Sequence, residues 1–361
     1  MAIGILTGGG DCPGLNAVIR ALVKSFYQKL PGEKVIGFLD GFRGLIDNKS
    51  VNLKTQDVVG LLPKGGTILG TSNRDNPFKF PVMVNGKLEF QDVSDTVIAN
   101  LQKHNIEVLF VIGGDGSLSI AHELSLKGVK VIGIPKTIDN DLEATEFTFG
   151  FDSAVRTATK ALDMLHTTAE SHHRIMVLEV MGRYAGWIAL YSGLAGGADV
   201  ILIPEIPFNW ESVCRKIQKR KAEGKHFSIV VVAEGAHAQG GERIVAKYIK
   251  ESTDPVRLGG IGQVVAEHLS NCTGLESRVT VLGHLQRGGG PTPFDRILAT
   301  RFGVAAVNAW LAGKYNVMVA LQGGKITAVP ISEGIKKLKL VPLDSEIIMT
   351  AKATGISFGD D

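Results

Sequence analysis

The sequence predicts an α/β protein of two lobes, each a doubly wound parallel or mixed sheet with helices on both faces. Three observations carry this. Short apolar, β-branched runs alternate with amphipathic stretches almost from end to end. Glycine- or charge-rich segments follow directly on several of the apolar runs, where this architecture places its ligands. The 361 residues also exceed the size at which one core keeps growing.

Taken in order, Ala2–Thr7 is an apolar run that stops at Gly8, and Leu15, Val18, Leu22 and Phe26 then recur at helical spacing. Lys34–Asp40 reads as the next strand. Glu107–Ile112 and Val129–Ile134 are continuous apolar runs, as parallel strands covered on both faces require, with a crossover helix over Ser117–Leu126. A second lobe is expected to open at Asp152-Ser153, read as a helix N-cap pair, with Val155, Ala158, Leu162, Leu165 and Ala169 on one stripe. Strands are expected at Ile175–Val180, Val200–Ile203 and Ser228–Ala233, and loops or small insertions at Phe78–Val93 and His237–Gly241. The expected division is a lobe of about 1–148 plus about 283–340, a second of about 149–282, and an extension over 341–361 that packs on the body.

Composition narrows the class. Hydrophobic residues at 44% and charged residues at 21% are those of a folded globular protein, and a net charge of +3 gives no basis for nucleic acid or an anionic membrane as partner. The 44 glycines are about 12% of the chain against a usual ~7%, so many backbone segments turn tightly or approach something closely. Cys12, Cys214 and Cys272 form an odd, scattered set without CxxC spacing, which argues against a disulfide framework or zinc site and for a reducing compartment. With no apolar run near the ~18 residues of a membrane span, and an opening MAIGILTGGGDCPG that reads as a strand rather than a leader, a cytoplasmic protein is expected.

Four segments concentrate the chemistry. Gly8–Gly14 lets backbone N–H groups face a phosphate at a helix start, or simply turns the chain. GxGxxG spacing fails because Pro13 stands three residues after Gly10, and no Gly-Lys-Ser/Thr follows to complete a Walker loop. Gly113-Gly114-Asp115-Gly116-Ser117 sets a carboxylate among glycines at a strand end, an arrangement that can hold Mg²⁺ while the backbone wraps phosphates. Pro135–Asp141 (PKTIDND) carries Lys136, Thr137, Asp139, Asn140 and Asp141, more polar chemistry than a turn requires, with a carboxylate able to accept a hydroxyl proton. Last, Arg174 precedes one apolar strand and Arg183 follows it, and Arg278 and Arg287 flank another, a repeated arrangement suited to an anionic substrate. His166, His172 and His173 are expected to act as helix C-terminal cations, and Trp187, Trp210 and Trp310 as packing residues.

The ordered set GGGDCPGLN, GGDGS, PKTIDND, SHHR, MGRYAG, VVAEG and SRVTVLGHLQRGG resembles the 6-phosphofructokinases over roughly Met1 to Val304, and the ending ATGISFGD resembles one branch of them. The resemblance implies glycolytic phosphorylation of fructose 6-phosphate at its 1-hydroxyl by ATP. It implies that Gly10, Arg74, Gly114, Asp115, Gly116 and Ser117 hold the donor, with Mg²⁺ on Asp115, and that Asp139 is the general base with Thr137 and Ile138 beside the acceptor. Met181, Gly182, Arg183, Glu234, His284, Leu285, Gln286 and Arg287 would hold the sugar phosphate. Arg174 and Arg278 would reach in from a neighbouring subunit of a homodimer or homotetramer.

Two positions bear on the donor. Lys136 is typical of relatives that use pyrophosphate; Gly116 stands where those relatives carry Asp, whose charge would repel the ATP α-phosphate. Gly116 is given the greater weight, so ATP is the expected donor and pyrophosphate the alternative. Arg20 and Lys24 fit the family's effector-site helix, but His166, Glu223 and Phe227 replace its other cations, so that site reads as degraded. From a different class, a non-catalytic sugar-phosphate or nucleotide sensor would keep the arginines yet has no need of both Asp115 and Asp139.

Overall fold

A computed structural model describes residues 1–84, 86–249 and 255–360. The elements in order are β1 (Ala2–Thr7), α1 (Leu15–Lys29), β2 (Lys34–Phe38), α2 (Phe42–Ile46), β3 (Ser50–Asn52), β4 (Phe80–Val84), β5 (Lys87–Gln91), α3 (Ser94–Lys103), β6 (Ile106–Gly113), α4 (Asp115–Leu126), β7 (Val131–Thr137) and β8 (Phe149–Gly150). They continue with α5 (Phe151–His172), β9 (Ile175–Val180), α6 (Trp187–Ala195), β10 (Val200–Leu202), α7 (Trp210–Ala222), β11 (Ser228–Ala233), β12 (Val245–Tyr248), β13 (Val256–Leu258), α8 (Ile261–Thr273) and β14 (Ser277–Val281). A 3-10 turn (Gly283–Arg287), α9 (Pro293–Leu311), β15 (Val317–Gln322), β16 (Lys325–Pro330), α10 (Ile331–Gly334) and α11 (Glu346–Ala353) complete the chain.

The strands form two main sheets. The larger runs β16-β15-β7-β6-β1-β2-β3, with β8 beside β7, and is parallel from β15 to β2. The smaller, β10-β11-β9-β14, is parallel throughout. The strands β1, β6, β7, β9 and β11 are buried along nearly their whole length, which is why they read as unbroken apolar runs. In each sheet the strand order reverses beside the earliest strand: β2 and β6 flank β1, and β11 and β14 flank β9. A crevice opens at the carboxyl ends of strands where the order reverses.

Four expectations change. Phe78–Val93 is not only loop, because β4 and β5 pair there as an antiparallel hairpin, and a second hairpin, β12–β13, stands apart from the main sheets. Helix α5 starts at Phe151 after Gly150, whose φ of 101° suits glycine; the expected N-cap Ser153 instead donates from its N–H and hydroxyl to Asp295 Oδ2, at 2.8 and 2.6 Å. Cys214 and Cys272, 58 residues apart, form a disulfide that ties α7 to α8, overturning the all-thiol reading; only tertiary packing brings them together. His166 lies well inside α5 with its ring on the Gly196 carbonyl at 2.7 Å, so it is not a terminal cation. The last residues lie along the smaller sheet, with Ile201 N–H donating to the Ser357 carbonyl and Phe358 wholly buried. No helix among the described residues is long and apolar enough to cross a membrane.

Candidate active site

The loop after β1 begins the site. Gly8 N–H donates to the Ile112 carbonyl at the end of neighbouring β6, so the two glycine segments lie side by side. A Cβ on Gly8 would fall 2.5 Å from Ser117 Oγ, and one on Gly10 would fall 2.4 Å from Arg287 Nη1. Glycine at these positions is therefore a condition of bringing α4 and Arg287 to the loop. Helix α4 starts at Asp115, with Gly114 as its N-cap and no side chain satisfying the first N–H groups, an arrangement that favours an anion.

Strand β7 delivers the third segment. Lys136, 3% exposed, donates Nζ to the Gly10 carbonyl at 2.5 Å, and burial lowers its pKa. Just beyond the strand, Asp139 and Asp141 are each 3% exposed, and Oδ1 of each has no hydrogen-bond partner. Buried carboxylate oxygens are rarely left so, and here they are acceptors without a partner just past the carboxyl end of β7. Burial, followed by the charges of Asp139 and Asp115, raises the pKa of Asp141. The turn is held by Asp139 N–H on Thr137 Oγ1 at 3.0 Å and by Lys339, which donates to Asn140 Oδ1 and to the carbonyls of Thr145 and Glu146. Burial brings Lys339 down to about 8.

The smaller sheet supplies the facing wall. After β9, Gly182 (φ 143°) and Arg183 (φ 52°) turn the chain, and Arg183 Nη1 lies 3.5 Å from Asp115 Oδ1. Glu234, just past β11, accepts from Arg183 N–H at 2.9 Å; desolvation raises it to about 7. Met181 N–H donates to Oε1 of the wholly buried Gln286 at 2.8 Å, locking the MGR segment to the 3-10 turn that carries His284 and Arg287. Arg287 donates to the Asp11 carbonyl at 3.0 Å, which closes the ring of contacts back to the first glycine loop.

The predicted residues thus separate into groups. Gly10, Gly114–Ser117, Lys136, Thr137, Asp139, Met181–Arg183, Glu234, Gln286 and Arg287 are linked into one cluster by these contacts. His284 and Leu285 share the turn but are exposed, and the Ile138 side chain is fully buried in the core, so only its backbone faces outward chemistry. Arg74 is exposed; its loop reaches the cleft through Ser72, whose carbonyl accepts from Gly9 N–H at 3.0 Å. Arg174 and Arg278 are not in the cleft. Both pair with Glu276 at the opposite end of β9 and β14, about 23 Å of strand from Arg174 to Met181. Sequence reasoning missed Lys339 and Asp295: the first sits in an ordinary Lys-rich stretch, and the second has no motif to mark it. The cleft's acidic donors are all oxygens, a set that fits a hard divalent cation, with Asp115 most accessible to it.

A family model described as phosphofructokinase matches residues 2–310. The chain is 53% identical over 360 residues to "ATP-dependent 6-phosphofructokinase 2" of Clostridium perfringens, covering 99% of this chain and 98% of that one. It is 50% identical over 344 residues to "Pyrophosphate--fructose 6-phosphate 1-phosphotransferase" of Amycolatopsis mediterranei, covering 95% and 97%. Among solved structures, phosphofructokinase from Saccharomyces cerevisiae superposes with a TM-score of 0.78 at 33% identity, over 93% of this chain and 44% of that one. With the family match spanning most of its length and relatives at half identity from end to end, the chain belongs to the phosphofructokinase family.

Proposed function

We propose that the protein transfers the γ-phosphoryl group of ATP to the 1-hydroxyl of fructose 6-phosphate. The observation that carries the reading is the pair of carboxylates Asp115 and Asp139 at the ends of adjacent strands, one among phosphate-cradling glycines and the other buried with an open acceptor oxygen. A sensor has no use for that pair. Gly10 and Gly114–Ser117 cradle the donor phosphates with backbone N–H groups. Mg²⁺, which Asp115 would hold, neutralises phosphate charge. Asp139 accepts the proton from the acceptor hydroxyl, and Lys136 and Arg183 face the charge that develops on the transferring group. Across the cleft, Glu234 and the MGR backbone orient the sugar while Arg287 and His284 hold its phosphate. Holding both reactants in line supplies most of the acceleration, since this chemistry needs little covalent help.

Arg174 and Arg278 belong to the site of a neighbouring subunit in this reading, which their distance along β9 and β14 from their own cleft supports. Buried Lys136 beside Gly10 favours a second reading, pyrophosphate as donor, which also draws on the Amycolatopsis relative's name. The test is a coupled assay of fructose 1,6-bisphosphate formation from ATP and fructose 6-phosphate. Bisphosphate formed by the protein, and not by its Asp139→Asn variant, supports the assignment; none formed under saturating Mg²⁺ overturns it.

A further inference from the structure

Asp139 is aimed by its turn and not by partners of its own carboxylate: Oδ1 has no hydrogen bond, and only the N–H is held, on Thr137 Oγ1. The turn needs support of its own. Asn140 has a φ of 53°, a left-handed conformation that residues other than glycine seldom adopt, asparagine being among those that do. Its Oδ1 accepts from Thr148 N–H at 3.1 Å, and Thr148 Oγ1 donates to the Thr137 carbonyl at 2.7 Å, so the segment folds back on itself around Asp139.

One side chain from far along the sequence completes this loop. An ammonium has three N–H donors, and Lys339 Nζ meets three acceptors, all on the loop: Asn140 Oδ1 at 3.1 Å and the carbonyls of Thr145 and Glu146 at 2.8 and 2.9 Å. The Lys339 N–H donates to the Asp141 carbonyl at 2.8 Å, and Leu338 bridges to Leu142. The same short segment reaches the facing wall. The Lys339 carbonyl accepts from Trp187 Nε1–H at 2.8 Å. Val341 N–H donates to Glu205 Oε1, which also accepts from Gly186 N–H, both at 2.9 Å. Gly186 ends the MGRYAG segment and Trp187 opens α6. Residues 339–341 therefore strap the loop of Asp139 to the segment of Arg183.

We propose that Lys339 is a positioning residue for the phosphoryl transfer: its ammonium fixes the loop over 137–148 so that Asp139 stays aimed at the acceptor hydroxyl. The proposal rests on Asp139 as the general base. The backbone contacts of 338–341 do not need the ammonium, so its loss leaves the strap in place and frees the loop alone. A misplacement of about 1 Å at a reacting group costs on the order of 10²-fold. Neither reactant is held by Lys339 itself in this reading, so the effect falls on turnover and not on binding.

The test is steady-state kinetics of fructose 1,6-bisphosphate formation by the full-length protein and by Lys339→Met, which keeps the arm and removes every donor. Asp139→Asn and Asp139→Asn/Lys339→Met complete the set. Lys339→Met is expected to lower kcat about 10- to 100-fold, with KM for both substrates nearly unchanged. Added to Asp139→Asn, it should cost almost nothing further, because residues that act as a unit are not additive. If Lys339→Met does not fold, Lys339→Gln, which offers two donors for three acceptors, takes its place in both backgrounds. A kcat equal to the wild type's, a rise in KM alone, or the same loss with and without the Asp139 carboxylate overturns the proposal. Asp139→Asn as active as the wild type overturns the assignment of Asp139 itself, an outcome read without any change at Lys339.

Discussion

Asp139 shows which properties of a residue its local sequence carries and which only packing supplies. The PKTIDND turn follows an apolar strand and holds more carboxylates than a turn needs, so its chemistry is legible in the sequence; its burial and its open Oδ1 are not. Asp139→Asn is expected to lower turnover on the order of 10²–10⁴-fold, the contribution of a positioned base, with fructose 6-phosphate binding largely intact. Steady-state rates and direct sugar-phosphate titration check this, and retention of more than about a tenth of the rate contradicts it. Glu234 makes a pH prediction. Its folded pKa of about 7 lies above the ordinary glutamate value of 4.5, so between those values the folded state binds more protons than the unfolded state and stability falls as pH rises. Asp47 and Asp92 are shifted downward, and their contributions vary only at lower pH. Thermal unfolding of the ligand-free protein should therefore show a decline from pH ~5 to ~7.5 that Glu234→Gln makes shallower. Identical slopes in the two proteins would remove Glu234 from the account.

Among the elements, strands buried on both faces announce themselves, because β6, β7, β9 and β11 are continuous apolar runs. Short exposed hairpins do not: every residue of β5 is exposed, so nothing in its pattern separates it from loop. The start of α5 is hidden for a related reason. Asp152-Ser153 has cap chemistry, but Ser153 is drawn to Asp295, a partner 142 residues away that no local pattern reveals. Asp295 also faces α9's own N-cap, Thr292, whose Oγ1 accepts from Asp295 N–H at 3.2 Å. This one residue therefore joins the starts of two helices, its carboxylate holding the start of α5 and its backbone N–H the cap of α9. Asp295→Ala would leave the Ser153 N–H and hydroxyl buried without an acceptor, at a cost on the order of 2–4 kcal/mol. Asp295→Asn keeps an acceptor oxygen and sheds a charge that burial already disfavours, its pKa being raised to about 6, so it should cost less than half as much. Denaturant midpoints at constant slope measure both; equal losses would show that charge, and not acceptance, holds the joint.

For the whole molecule, the glycine and arginine motifs are visible in the sequence because each lies at a strand end, and the two reversals of strand order explain why those ends meet. The disulfide and the Lys339 brace are invisible there for the opposite reason, since both depend on elements far apart in sequence. Arg174 and Arg278 set a test of assembly. If each site borrows them from a neighbour, mixing inactive Asp139→Asn protein with inactive Arg174→Ala protein restores activity in hybrid oligomers. No recovery after verified subunit exchange would confine these arginines to their own chain.

In the proposed function ATP is the working donor for phosphorylation of fructose 6-phosphate. Gly116 decides between the donors in the proposed binding mode, in which ATP lies over the start of α4 and an Asp there would set a carboxylate near its α-phosphate. Two unit charges ~4 Å apart repel by about 4 kcal/mol at an effective dielectric near 20, which corresponds to a factor near a thousand. Lys136 is compatible with either donor, since a cation can steady the transferred group whichever molecule supplies it. The most direct measurement is the rate of fructose 1,6-bisphosphate formation with ATP and with pyrophosphate, side by side at saturating Mg²⁺, for the wild-type protein and for Gly116→Asp. Efficient turnover with ATP is expected in the wild type, with a loss of about three orders of magnitude in kcat/KM for ATP in the variant. A wild-type protein that works well with pyrophosphate and poorly with ATP would contradict it.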